Sequence, residues 1–198
     1  MASPSEVSPV RPDRPPPPLT LATWVTLFRF VLVPPIVWSM AWAPSAAGDW
    51  RSWIPLGLFS LAAASDWIDG LLARRMGQTS VMGAWLDPLA DKVLVAACLV
   101  AFVEGGRIPG WSVSLVLARE FLATGLRIVL ADMGQGIRPA AWSGKAKAIA
   151  QMCSISAFLV PWPPLLPWAT GLYALAVVLT VWSGVAMIWQ TRAIWRSA

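Results

Sequence analysis

The chain has 198 residues, is 57% hydrophobic and only 13% charged, and contains 14 tryptophans, two cysteines and no histidine. An ordinary soluble domain is about a quarter charged, so this composition, with a mean hydropathy of +0.62, excludes that class and describes one polytopic membrane domain. The net charge of +5 does not make nucleic acid a partner, because the basic residues fall mostly in short loops and helix ends, as membrane topology requires.

Met1 to Pro18 is polar and ends in a run of four prolines. It lacks the apolar core of a signal peptide, so residues 1–18 read as a disordered tail, and Arg11 and Arg14 place it on the cytoplasmic side. Residues 19–198 form the membrane domain. Its first apolar segment runs from Leu19 to about Ala43, is kinked by Pro34 and Pro35, and carries Arg29. That arginine either snorkels to the interface or turns inward toward an anionic substrate. A short loop with Pro44 and Gly48 leads to the second segment, about Trp53 to Ala73, with Asp66 and Asp69 near its far end. A polar, basic turn from Arg74 to Met82 follows. The third segment, about Gly83 to Val103, opens with Asp87 and Asp91.

Beyond a short outer loop at Glu104–Gly110, the fourth segment covers about Trp111 to Ala131 and contains Arg119, Glu120 and Arg127. Arg119 and Arg127 lie within about 80° of one helical face. Lys145 and Lys147 sit at the start of the fifth segment, which ends near Val160. Pro161 to Pro167 is a rigid outer turn, and the sixth segment spans about Trp168 to Trp189. Cys98 and Cys153 both sit in apolar runs and read as small buried hydrophobes. The expected fold is therefore all-α with six transmembrane helices, and the long uninterrupted apolar runs exclude a strand-built barrel. Nine basic residues, among them Arg74, Arg75, Arg138, Arg192 and Arg196, fall on one side, against Arg51 and Arg107 on the other. This bias puts both termini in the cytoplasm.

The chemistry is concentrated between the second and third segments. A single aspartate at membrane depth costs about 2.5–3.5 kcal/mol on insertion, so four need neutralising. Asp66 and Asp69 are three apart and Asp87 and Asp91 four apart, spacings that put each pair on one helical face. Two antiparallel helices joined by one cytoplasmic turn would bring the pairs to the same depth. Two divalent cations would match the four carboxylates, and oxygen-only ligands suit Mg2+ or Mn2+ rather than zinc. Paired cations suit an in-line displacement at phosphorus, hence a diphosphate substrate. With no histidine in the chain, acid–base work falls to Asp, Glu, Lys, Tyr or water. One carboxylate must be freer than the others to act as a base, and spacing alone does not say which. In the second half of the chain Arg119, Arg127, Lys145 and Lys147 suit phosphate oxygens. This points to a second, phosphate-bearing substrate for which glycerol 3-phosphate fits. The plainer alternative for these cations is topological anchoring with salt bridges to Glu120 or Asp132.

As a whole the central stretch reads D-x2-D-G-x2-A-R-x8-G-x3-D-x3-D, with fixed positions Asp66, Asp69, Gly70, Ala73, Arg74, Gly83, Asp87 and Asp91. In this it resembles the CDP-alcohol phosphatidyltransferase family. The resemblance implies that the four aspartates hold two divalent cations, that Gly70, Ala73, Arg74 and Gly83 line the nucleotide pocket, and that Asp91 is the base. Thr79 and Ser80 are further candidates for contacts to the nucleotide. It also implies CDP-diacylglycerol as donor, CMP as leaving group, membrane lipids as surroundings and a homodimer. TWVTLFRFVLVPP (Thr23–Pro35), AREFLATGLR (Ala118–Arg127) and SGKAKAIAQM (Ser143–Met152) resemble the branch that makes phosphatidylglycerol phosphate. That branch usually has Pro-Asn at Ala22-Thr23 and threonine at Ala148. The implied acceptor is glycerol 3-phosphate, bound by Arg119, Arg127, Lys145, Lys147 and Arg29, on the cytoplasmic side of a bacterial inner membrane. Alternative acceptors are inositol phosphate, phosphatidylglycerol or serine. An ion transporter would more often place its acids at the midplane, and an intramembrane prenyltransferase would lack the Gly-x2-Ala-Arg link.

Overall fold

Six apolar runs bounded by proline, glycine and charge become six helices. The computed structural model describes residues 21–43, 49–76, 81–132 and 142–195. These are α1 (Leu21–Trp42), α2 (Ile54–Met76), α3 (Val81–Glu104), α4 (Gly110–Asp132), α5 (Trp142–Leu159) and α6 (Leu166–Trp195), with short 3-10 turns at Trp50–Trp53 and Pro163–Leu165. No strand occurs among the described residues. The tail expected at 1–18 lies outside them, as does Thr79.

Among the described residues two helical stretches are long and apolar enough to cross a membrane by length and composition, Trp24–Trp42 and Pro163–Trp189. The other four are interrupted by the charged residues that make them interesting. Pro34 and Pro35 lie inside α1, which remains helical through both. The turn expected from Arg74 to Met82 is shorter than its polarity suggests, because α2 continues to Met76 and α3 begins at Val81. Arg74 and Arg75 therefore belong to the last turn of α2, where cations favour the negative end of the helix dipole, and Gly83 lies within α3.

Along one end of the bundle the connections are tightly made. Asp49 accepts a 2.9 Å hydrogen bond from the Arg51 amide and so starts the turn before α2. After α3, Gly106 takes a positive φ of 66°. There the amides of Gly105 and Arg107 reach back to the Ala101 and Phe102 carbonyls, at 3.0 and 2.9 Å. This left-handed position is one that glycine adopts without steric cost. Arg107 donates to the Phe158 carbonyl at 2.5 Å and lies 5.8 Å from the centre of the Phe102 ring, tying the end of α3 to the end of α5. The Ser112 and Tyr173 hydroxyls are 2.8 Å apart and join α4 to α6.

A cavity of about 420 Å³ is lined from the end of α1 (Met40), the start of α2 (Pro55), the ends of α3 and α5 (Phe102, Phe158) and the start of α6 (Leu166). These helix ends therefore share one plane. Exposed tryptophans lie at or beside the helix ends on this side: Trp42, Trp50, Trp53, Trp111, Trp162 and Trp168, the pattern of an interfacial aromatic belt.

α1 packs against both α2 and α3, α5 pairs with α6, and α4 bridges α3 and α6. The core between them is apolar, with Ile36, Phe59, Leu99, Phe102, Ile155 and Phe158 all buried. Cys98 is in this core, but Cys153 is exposed, because its position on α5 falls on the outward face. The Phe102 and Phe158 rings meet at 5.1 Å. Phe102→Ala should cost about 3–5 kcal/mol from the cavity left between α3 and α5. A lowered thermal midpoint in detergent, read by tryptophan fluorescence, is the expected result.

Candidate active site

Helix geometry fixes the depth of the acidic residues. At 1.5 Å per residue, positions 66 and 69 on α2 and 87 and 91 on α3 all lie about 18–26 Å from the tryptophan-bearing plane. The two pairs thus occupy one layer, toward the opposite end of the bundle. The side chains of Asp66, Asp69, Gly70, Ala73, Arg74, Gly83 and Asp87 lie outside the described residues. Asp91 is described and its side chain is exposed, whereas Ala90 beside it and Leu94 one turn on are buried.

Among the described residues no group of three or more His, Cys, Asp or Glu side chains lies together. The donor set can nevertheless be tested by its chemistry. The chain has no histidine, Cys98 is buried in the apolar core and Cys153 lies on the outward face of α5, so the donors this layer offers are carboxylate oxygens. Two carboxylate pairs at helical spacing in one layer fit hard divalent cations.

Beside this layer lies a polar cluster built from four helices, α3, α4, α5 and α6. Glu120 on α4 is its centre. Its Oε1 accepts from Arg119 at 3.0 Å and from Lys147 on α5, and its Oε2 lies 3.9 Å from Lys92 on α3. Lys92 also donates to Thr124 Oγ1, and Thr124 bonds the Glu120 carbonyl at 2.9 Å. Arg119 donates a second bond, 2.9 Å, to Ser183 on α6. A Cβ at position 184 would stand 3.3 Å from Arg119 Cγ, so Gly184 is what lets α6 close on that stem. Lys147 is 5% exposed, and burying a cation this far is tolerable only because it is paired.

Two buried donors in this region have no partner among the described residues. They are Arg119 Nε and Gln151 Nε2, the latter one turn along α5 from Lys147. A buried donor without a partner costs about 1–3 kcal/mol, which an anionic ligand would recover. Arg29 is 1% exposed, so it is held inside the bundle and does not snorkel. The side chains of Arg127 and Lys145 lie outside the described residues.

Of the cations expected to meet a phosphate, the structure brings Arg119 and Lys147 together on Glu120. Their partner is the one that plain salt bridging would supply, yet the cluster keeps more cations than carboxylates. Lys92 was not singled out by sequence. Its signal was its place directly after Asp91, as a lone cation in an otherwise apolar stretch.

The sequence pattern described as CDP-alcohol phosphatidyltransferase matches residues 19–182. A curated relative from Yersinia enterocolitica, named CDP-diacylglycerol–glycerol-3-phosphate 3-phosphatidyltransferase, is 38% identical over 190 residues, covering 90% of this chain and 96% of its own. A relative of the same name from Escherichia coli K12 is 37% identical over 186 residues, covering 87% and 95%. Another from Sodalis glossinidius is 38% identical, covering 88% and 96%.

Proposed function

Because the chain belongs to the CDP-alcohol phosphatidyltransferase family, we propose that it transfers the phosphatidyl group of CDP-diacylglycerol to glycerol 3-phosphate, giving phosphatidylglycerol phosphate and CMP. The observation that carries this is the placement of the eight-position aspartate motif on α2 and α3 in one layer beside the Lys92–Arg119–Lys147 cluster. The aspartates offer carboxylates for a diphosphate and its cations, and the cluster beside them offers positive charge for an acceptor phosphate.

Asp66, Asp69, Asp87 and Asp91 would hold two divalent cations, Mg2+ or Mn2+. When bound, such a pair supplies Lewis-acid stabilisation of charge at phosphorus. The chain's own residues do the rest. Arg119 and Lys147, with Arg127, Lys145 and Arg29, orient the acceptor by its phosphate, using charge-assisted bonds that are stronger than neutral ones. Gly70, Ala73, Arg74, Thr79 and Gly83 accommodate the cytidine nucleotide. Asp91 receives the proton of the acceptor hydroxyl as its oxygen bonds to the phosphatidyl phosphorus. The bond from that phosphorus to CMP breaks, and CMP departs to the cytoplasm.

The six helices each cross the membrane, with the tryptophan belt at the outer interface and both termini and the site on the cytoplasmic side of the bacterial inner membrane. Five helix ends lining one cavity support this, and only five residues separate the end of α3 from the start of α4. α6, at about 45 Å for its 30 residues, exceeds the roughly 30 Å hydrocarbon core. The family resemblance adds a homodimer.

The test is a panel of acceptors with purified protein, CDP-diacylglycerol and Mg2+, scored by CMP release. Glycerol 3-phosphate should support turnover far above serine, inositol phosphate or phosphatidylglycerol. Equal release with any of those would overturn the choice of acceptor.

A further inference from the structure

Glu120 sits where a carboxylate is least expected. If Arg119 and Lys147 receive the phosphate of an acceptor, a glutamate bonded to both of them competes with it. Its presence needs a physical reason, and the geometry of the cluster supplies one. Arg119, Lys147 and Lys92 arrive from three different helices, α4, α5 and α3. Three cations brought within reach of one another repel, and in a half-buried setting that repulsion is weakly screened. One carboxylate bonded to Arg119 and Lys147, and 3.9 Å from Lys92, holds them together. Thr124 fixes the Lys92 ammonium from the side and is itself anchored to the Glu120 carbonyl.

Charge supports the same conclusion. Among the described side chains three cations share Glu120, and each can take a further anionic partner. A phosphomonoester near neutral pH carries close to two negative charges. Such a dianion can bond to several of these cations at once, whereas a neutral alcohol offers them no charge to bind. The orphaned Arg119 Nε and Gln151 Nε2 provide donors beyond those that Glu120 occupies. Lys92 adds a link along the chain. It follows Asp91 directly, so this cation and the carboxylate proposed to take the acceptor's proton belong to one turn of α3.

We infer that Glu120 is a positioning residue of the acceptor site, keeping Lys92, Arg119 and Lys147 converged for a phosphomonoester dianion, and that Lys92 is itself a ligand of that phosphate. This rests on the transferase assignment above and extends it to two residues outside the aspartate motif.

The experiment is steady-state kinetics of the full chain in detergent–lipid micelles, with each substrate varied in turn. Glu120→Gln should raise KM for glycerol 3-phosphate by about tenfold or more, as an interaction made in binding is lost. KM for CDP-diacylglycerol should stay within about twofold of the parent, and Glu120→Asp should recover most of the loss. A general structural defect would move both KM values and would not be rescued by aspartate. Because Glu120→Gln leaves three cations without their carboxylate and can fail to fold, Lys92→Gln is measured alongside. It should give the same selective rise while the thermal midpoint stays near the parent's. An unchanged KM for glycerol 3-phosphate in Lys92→Gln, or equal rises for both substrates in either variant, overturns the inference. If the parent protein releases no CMP with glycerol 3-phosphate, the transferase assignment itself falls. If the parent turns over and the variants show no selective change, only the roles of Glu120 and Lys92 fall.

Discussion

Asp69→Asn is expected to reduce CMP release by about 10³-fold or more while leaving the protein folded and membrane-extracted as before. The carboxamide keeps the size of the side chain and removes its charge and its capacity as a hard anionic ligand. Loss of one preorganised electrostatic group at a reacting phosphorus costs about 10²–10³ in rate, and a missing ligand that also empties a cation site costs more. Folding should be spared, because position 69 lies in the last turns of α2, away from the core around Phe59, Phe102 and Phe158. Turnover is measured with saturating Mg2+ and both substrates, and folding by far-UV circular dichroism and the thermal midpoint. Turnover near the parent level would contradict the assignment of the aspartates.

The second large effect is expected at Lys147. Lys147→Met keeps most of the stem and deletes the ammonium. The residue is 5% exposed, so the group removed is a desolvated charge, and truncating such a partner costs about 2–5 kcal/mol of binding. In kinetic terms kcat/KM for glycerol 3-phosphate should fall by about 10²-fold, while KM for CDP-diacylglycerol changes little. Stability should fall less than for an isolated buried pair, since Glu120 keeps Arg119 at 3.0 Å and Lys92 at 3.9 Å. Equal losses toward both substrates would mean that Lys147 serves the bundle and not the acceptor.

Much of the fold was legible because each helix is written as an apolar run closed by a breaker or a charge. The loop at 105–109 was readable from Glu104, Gly105, Gly106 and Pro109, and the structure adds that Gly106 carries the positive φ. The start of α4 at Gly110 and the end of α5 at Leu159 fall within a residue of the expected bounds. Where polarity misled, helix propensity had the stronger hand. Ala73, Arg74, Arg75 and Met76 are all good helix formers, so α2 runs through the basic residues and not up to them. Position on a face was less legible than position in the chain, as Cys153 shows by being exposed within an apolar run.

The site was legible where its residues are close in sequence and obscure where they are not. The aspartate pairs announce themselves by spacing within single helices. Glu120 was readable as a salt-bridge partner, but which cations it gathers was not, because its contacts to Lys92 and Lys147 bridge 28 and 27 positions and no periodicity records which helices will be neighbours. The same tertiary contacts decide Arg29. From the sequence it could have reached water or turned inward, and only the packing of α1 against α2 and α3 accounts for its burial.

Anomalous diffraction from crystals grown with Mn2+ tests the central claim most directly. Two manganese peaks about 4 Å apart, within coordination distance of the carboxylates of Asp66, Asp69, Asp87 and Asp91, are the expected result. An occupied nucleotide pocket with no manganese at those carboxylates, or manganese bound only elsewhere on the chain, would contradict it.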